Sequence, residues 1–411
     1  MELTATKYVQ TEVGLIPKDW RMAKFSEFIT DKRGGASLKP GEFTKYGVLV
    51  IPKGGIVRGG YLNIAEKDIQ YCSESFWQTH QNNSVDESYL VVVLRDLVPS
   101  GPNLGLIVSL PERRKYVLAQ GTYGFKVEID KCHPSYLVHY SNSDEYRLLM
   151  QQNMVGSTQV FIRSNRLWDL EIPLPTIEEQ KAIAQVLSDT DALIQALEQK
   201  IAKKKLIKKG VMQQLLTPKE DWEKVEMKEV MEFANGKPLE PMINKNGAYN
   251  LITLDSISIE GKLKNYHKKV SINDNSLRKN DVVTVLSDIA HAKLLGLTDL
   301  IPTDNLYVLN QRMGRLRFSD EIHPKFASQF INYNQEFFRK RGQGSSQRHI
   351  YKKDFDEFIL SYPLYNEQIR IAQTLSDIDE EIMELIQKLS KYKLAKQGMM
   401  QQLLTGKIRL V

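Results

Sequence analysis

The side chains of this chain best suited to chemistry are cations set among glycines, amides and aromatic rings. Lys32 and Arg33 precede Gly34-Gly35, and Lys53 and Arg58 bracket Gly54-Gly55 before Gly59-Gly60-Tyr61. Arg113-Arg114-Lys115 is a compact basic triplet, and residues 262–269 interleave Lys264 and Lys268 with Tyr266. Residues 339–349 are the richest stretch, with Arg341, Gln343, Ser346, Gln347 and Arg348; their counterpart, 156–163, carries Gln159 and Arg163. Lysine and arginine neutralise phosphates and supply salt-sensitive affinity. Glycine lets a backbone approach a phosphate closely. Arginine pairs with guanine, and asparagine or glutamine with adenine, in the major groove. Lys32, Arg33, Lys53, Arg58, Tyr61, Arg113, Arg114, Gln159, Arg163, Lys264, Tyr266, Lys268, Arg341, Gln343, Ser346, Gln347 and Arg348 are therefore the candidate contacts to double-stranded DNA. A basic loop is ordinarily just solvated, so the pattern has to be weighed with its scaffold.

Catalytic constellations are missing from the same sequence. There is no Asn/Asp-Pro-Pro-Tyr/Phe segment to hold a base amino group for methyl transfer, and no GxxxxGK[ST] phosphate loop. The seven histidines show neither HxH nor HExxH spacing, and Cys72 and Cys132 are too few for a four-cysteine site. Glu226-Met227-Lys228 has the letters of a nuclease but reads more simply as an exposed acidic/basic alternation. Cys132-His133 has no third member; His133-Pro134 recurs as His323-Pro324, which fits a turn that starts a helix. The chain reads as a binding protein with no metal or cofactor of its own.

These loops hang on a duplicated scaffold. Residues 179–217 and 367–405 are one segment written twice, identical at 24 of 39 positions without a gap. The preceding stretches diverge but align in order: Leu104-Gly105-Leu106 with Leu295-Gly296-Leu297, Tyr116-Val117-Leu118 and Gln120 with Tyr307-Val308-Leu309 and Gln311, and Gly156-Ser157-Thr158-Gln159 with Gly344-Ser345-Ser346-Gln347. One unit of roughly 190–200 residues has been duplicated, its connector kept and its globular part varied.

Each connector reads as a long helix. Ile371, Leu375, Ile378, Ile382, Leu385, Leu389 and Tyr392 alternate at spacings of four and three, and Ile183, Leu187, Ile194, Leu197 and Ile201 fall on the same register. Each helix would span about 57 Å and cannot bury its stripe alone, so an antiparallel pair is expected, with the modules related by a pseudo-twofold axis. The basic run before Met-Gln-Gln-Leu-Leu-Thr ends both copies, so Met212, Leu215, Leu216, Met400, Leu403 and Leu404 are the expected partner-docking patch. The modules show short strand-like runs at 46–51, 89–94 and 123–129, and again at 249–254, 281–286 and 314–318. One helix is expected over 135–151 and one over 325–341. The division is an N-terminal segment 1–20, a first module 21–176, a first helix 177–217, a second module 218–364, and a second helix with a tail 365–411. The fold class is α+β: two mixed α/β modules joined by two long antiparallel coiled-coil helices.

At 411 residues and 42% hydrophobic content the chain can bury at least two cores. A net charge of +6 suits an anionic partner without demanding one. No run of 18 apolar residues and no charged leader is present, so a reduced, cytoplasmic protein with no membrane association is expected.

The chain resembles the DNA specificity (S) subunits of type I restriction-modification systems over essentially its whole length. The pieces that carry the resemblance are Gly156–Gln159 taken with Gly344–Gln347, Ile172-Pro173-Leu174-Pro175 leading into Glu179-Gln180, Tyr362-Pro363-Leu364 leading into Glu367-Gln368, and the two Gln-Gln-Leu-Leu-Thr ends. The opening, Thr11-Glu12-Val13-Gly14-Leu15-Ile16-Pro17 with Asp19-Trp20, is also similar; Ser361-Tyr362 departs from an apolar-Pro pair. The resemblance implies two target recognition domains, each reading half of an interrupted DNA site, and helices that seat two methyltransferase (M) subunits. Motor-nuclease (R) subunits would join for restriction. S-adenosylmethionine, ATP and magnesium would belong to those partners. Two rivals stand beside this reading: the specificity component of a related bipartite methylase-nuclease system, and a non-catalytic coiled-coil adaptor that binds proteins.

Overall fold

The computed structural model describes residues 8–12, 14–112, 115–265, 268–274, 276–289 and 292–410. The chain forms two compact units, one of residues 1–198 with 387–411 and one of residues 199–386. Both boundaries fall inside a long helix, Ile177–Leu216 and Tyr365–Leu403, so the units do not end where the sequence division ends.

Unit 1 is built on two sheets. Ile107–Ser109, Leu90–Val93, Thr122–Val127 and Ile29–Gly34 lie side by side in that order in an antiparallel sheet. The second sheet centres on Val48–Ile51, which pairs in parallel with Tyr116–Leu118. Unit 2 repeats the plan: Met231–Asn235, Met313–Phe318, Val282–Val285 and Thr298–Leu300 form one sheet, and Tyr249–Ile252 pairs in parallel with Tyr307–Leu309 in the other. The apolar run Leu90–Val93 is buried throughout because alternate side chains enter different cores: Leu90 and Val92 go one way, Val91 and Val93 the other. Val282 against Val283 and Val285 does the same in unit 2. The expected strands all form with ends shifted by a residue or two, most of them shortened; 314–318 instead gains Met313.

The two expected module helices are each broken in two. Pro134–Tyr140 and Asp144–Asn153 are separated at Ser143, whose hydroxyl accepts from the Tyr146 N–H and starts a second helix. Pro324–Tyr333 and Gln335–Arg341 are separated at Asn334. His133 and His323 stand immediately before the two prolines, as helix-start turns.

Within each unit the two long helices run antiparallel. In unit 1, Lys396 pairs with Asp191 at 2.5 Å and Lys393 with Glu198 at 2.7 Å. In unit 2, Lys208 pairs with Asp379 at 2.5 Å and Lys204 with Glu381 at 2.6 Å. Burial alone would raise the Asp379 carboxyl, but Lys262 and Lys208 outweigh it and hold it below the usual carboxylate range. The a/d residues Ile183, Leu187, Ile194, Leu197, Ile201, Ile371, Leu375, Ile382 and Leu385 are buried.

One glutamine fastens each module to the start of its own helix. The Gln180 carbonyl oxygen accepts from the His133 N–H at 2.8 Å, and its amide donates to the Lys131 and Pro175 carbonyls. Gln368 makes the same three bonds, to His323, Glu321 and Pro363.

Candidate nucleic-acid interface

The Gly-Ser-Thr-Gln and Gly-Ser-Ser-Gln segments are the tips of two matching hairpins. Val155 and Phe161 exchange backbone hydrogen bonds of 2.9 and 3.0 Å, and Gln343 and His349 exchange bonds of 3.0 and 2.8 Å. Gly156 and Gly344 have φ of +107° and +113°. A Cβ on either would lie 2.1 or 2.0 Å from the carbonyl oxygen of Gln159 or Gln347, so only glycine closes this turn. Both tips are exposed, carrying Gln159 in one and Gln343 and Ser346 in the other. The returning strand pairs with Arg95–Asp96 in unit 1 and with Ser287–Ile289 in unit 2. Gln347 and Arg348 lie half-buried on that strand, and Arg163 is exposed just beyond its counterpart.

The remaining candidate cations divide into free and committed groups. Lys53, Arg58, Arg163, Lys264 and Arg348 form no ion pair among the described residues, and Arg58, Arg163 and Lys264 are exposed. Arg33 is committed to the fold: it contacts Asp31 at 3.3 Å, donates to the Gln81 and Ser84 carbonyls, and lies over the Tyr89 ring at 4.7 Å. The Tyr89 hydroxyl bonds Asp31 and, with the Lys32 N–H and Arg33, holds that carboxyl below its ordinary range. Arg341 lies 3.7 Å over the Phe337 ring and within 3.9 and 3.6 Å of Asp354 and Glu357. Arg33 thus has much of its donor capacity engaged by the fold, whereas Arg341 stands beyond hydrogen-bond distance of its two carboxylates and keeps its donors for a ligand.

Lys32 is exposed, its ammonium 5.2 Å from the Trp168 ring centroid, and Lys268 lies 3.8 Å from Asp255. Tyr61 is exposed with its ring against Gly59. Arg113, Arg114 and Tyr266 lie outside the described residues.

The expected docking patch at the helix ends is corrected. Leu216 is fully buried in the unit 2 core beside Trp222, Ile371 and Leu375. Leu403 and Leu404 are buried in the unit 1 core beside Trp20, Ile183 and Leu187. Met212 and Leu215 pack partly buried against the first of these cores, and Met400 against the second. The end of each long helix has to cover the apolar start of the other, so this Met/Leu motif is internal packing. The apolar side chains that the long helices leave exposed are elsewhere and include Leu206, Ile207, Met383, Ile386 and Leu394.

Sequence reasoning also missed three arginines. Arg409 closes unit 1 by binding Glu179 and Asp19 together, and Arg95 and Arg312 border the two hairpins. The sequence signal for Arg312 was the alignment of Gln120 with Gln311, one residue before Gly121 and Arg312.

Among the described residues no cluster of three or more His, Cys, Asp or Glu could hold a metal ion, and no helix is long and apolar enough to cross a membrane. Cys72 and Cys132 are free and buried.

The family described as Type I restriction modification DNA specificity domain matches residues 17–205 and 219–391, once for each repeat. The MjaX protein of Methanocaldococcus jannaschii, assigned as a type I restriction enzyme specificity subunit, is 23% identical over 432 residues, covering 98% of this chain and 97% of its own. The type I restriction enzyme MjaVIII specificity subunit of the same organism is 29% identical over 276 residues, 59% of this chain and 63% of its own. The fold matches the crystal structure of the type I restriction-modification S subunit from M. genitalium with a TM-score of 0.62 at 14% identity, over 98% of both chains. Because the family's model spans most of both repeats, the chain belongs to the type I restriction-modification DNA specificity family.

Proposed function

We propose that each unit reads one half of an asymmetric, interrupted double-stranded DNA site, and that the long helices seat two methyltransferase subunits. The observation that carries this is the contrast inside the repeat. Two units share the order of the four-stranded sheet, the parallel strand pair and one hairpin turn, yet their loop sequences diverge, while their helices stay alike. Unlike readers on like scaffolds fit two unlike half-sites, where a homodimer would read a palindrome. The exposed apolar residues Leu206, Ile207, Met383, Ile386 and Leu394 supply a surface for protein partners along the helices. Methyl transfer to N6 of adenine, and ATP-driven restriction, belong in this reading to the M and R subunits, with their S-adenosylmethionine, ATP and magnesium.

The test is to co-express the chain with the methyltransferase encoded beside it and map modified adenines by sequencing. A gapped motif with two unlike halves is expected, and exchanging residues 21–155 for another such module should replace one half alone. A palindromic motif would refute separate reading. A stable complex that methylates nothing, with no salt-dependent DNA affinity, would favour a protein-binding adaptor.

A further inference from the structure

In both units a four-residue turn leads into a central strand of the four-stranded sheet. It is closed by the Thr122 N–H bonding the Ala119 carbonyl at 3.1 Å, and by the Met313 N–H bonding the Asn310 carbonyl at 3.2 Å. The third turn residue has positive φ in each: +93° at Gly121 and +69° at Arg312. Glycine or asparagine belongs at such a position; a long side chain there is an outlier.

The surroundings show what the exchange accomplishes. The Gly121 carbonyl accepts from the Leu94 N–H and the Arg312 carbonyl from the Leu286 N–H, both at 2.9 Å. Each turn is thereby held beside the next residue along, Arg95 in unit 1 and Ser287 in unit 2. A Cβ on Gly121 would lie 3.1 Å from the Arg95 Cβ and 3.6 Å from the Lys53 Cδ, so the arginine stem occupies that space. In unit 2 the strand position carries a small serine, bonded to His349 at 2.9 Å, and the turn carries the arginine instead. One guanidinium is thus delivered to the same corner of both units, from the strand in one and from the turn in the other.

That corner adjoins the hairpin. Arg95 lies opposite Phe161 and Ser287 opposite His349, on the strands that return from the two exposed tips. The aspartate that follows is a fixed post in both: Asp96 accepts from the Val98 and Asn103 N–H groups, and Asp288 from those of Ile289 and Leu294. Neither arginine has an ion pair among the described residues, whereas Arg33, Arg315, Arg317, Arg341 and Arg409 all lie within ion-pair distance of carboxylates. Arg312 is exposed and unpaired at positive φ, Arg95 is half-buried and unpaired, and backbone outliers of the Arg312 kind gather at functional sites.

We propose that Arg95 and Arg312 are the base-reading arginines of the two units, each donating two guanidinium N–H groups to O6 and N7 of a guanine in its own half-site. This rests on the DNA-reading function proposed above.

The test uses the full chain co-expressed with its neighbouring methyltransferase, with methylated adenines mapped across the host genome. The variants are Arg95→Ser, which installs the unit 2 residue, Arg312→Gly, which suits the turn, and Arg95→Lys and Arg312→Lys. Thermal unfolding of each purified complex checks that it is folded. The expected result is a loss of about tenfold or more in preference for guanine at one position of one half-site for each arginine, the other half unchanged. The lysine variants should relax the same position, because lysine lacks the fork. Unaltered motifs in folded variants would overturn the assignment. So would a uniform loss of methylation that lysine restores, the mark of a phosphate contact. A wild-type complex that methylates nothing would sink the DNA-reading function itself, whereas wild-type methylation with unaltered variant motifs sinks only this assignment.

Discussion

Unit 1 and unit 2 fasten a module to the start of one long helix and the end of the other with many of the same parts, and the two units differ at three places. At the helix start, unit 1 buries Glu179 completely, between the Trp20 indole N–H at 3.1 Å and Arg409 at 2.6 Å, and Arg409 also grips Asp19. Unit 2 puts Lys219 beside a more exposed Glu367 at 3.3 Å, and the buried Trp222 indole nitrogen finds no partner among the described residues. Where the module helix meets the long helix, unit 1 places His139 against Ser188, and unit 2 places Gln329 against Ser376. The third difference lies inside the module, away from the helices: Gly121 against Arg312. Duplication preserved the joint, and afterwards each copy tuned it separately.

The largest expected effect separates the two helix-start latches. Arg409→Ala leaves a buried, uncompensated carboxylate and should destabilise unit 1 by about 3–5 kcal/mol. Lys219→Ala removes a largely exposed pair and should cost under about 1 kcal/mol. Chemical denaturation of the two variants side by side measures this, and equal losses would erase the distinction.

An intermediate effect is acid sensitivity. Burial, with Lys396 nearby, pushes the His139 pKa down to about 4 from 6.5, with Asp191 the facing carboxylate at 3.9 Å. The folded state therefore binds the proton more weakly than the unfolded state. Stability from this group is complete above pH 6.5 and is lost as pH falls from 6.5 towards 4, at up to about 1.4 kcal/mol per pH unit. His139→Gln, the residue unit 2 carries, should flatten the melting temperature over that window; an unchanged slope would assign the sensitivity elsewhere.

The smallest effect is in the turns. Arg312→Gly should raise the stability of unit 2 by about 1 kcal/mol, since glycine bears φ of +69° without strain. Gly121→Ala should lower that of unit 1 by a similar amount, read as opposite shifts in thermal unfolding.

Much of this was legible beforehand because it lies in local pattern. The 3-4 spacing of Ile371 to Tyr392 made the helix, the short β-branched apolar run Leu90–Val93 made a strand, and His-Pro marked two helix starts. What failed needed contacts between residues far apart in the chain. Leu216 and Leu404 looked like a partner surface because the side chains that cover them lie well away in sequence. Arg33 looked free because the Gln81 and Ser84 carbonyls and the Tyr89 ring that engage it lie far along the chain. The break at Ser143 came from a hydroxyl that caps locally against an otherwise helical run.

By itself, the sequence determined the duplication, the two long helices, the α+β class and the chemistry of the loops, since periodicity, propensity and self-similarity are properties of residues near one another along the chain. Tertiary structure alone decided which cations stay free, which leucines are core, and that Arg95 on a strand and Arg312 in a turn stand at corresponding places in the two units. Those outcomes depend on pairing and burial across the chain, and a side chain's partners are fixed only once the backbone has brought them within reach.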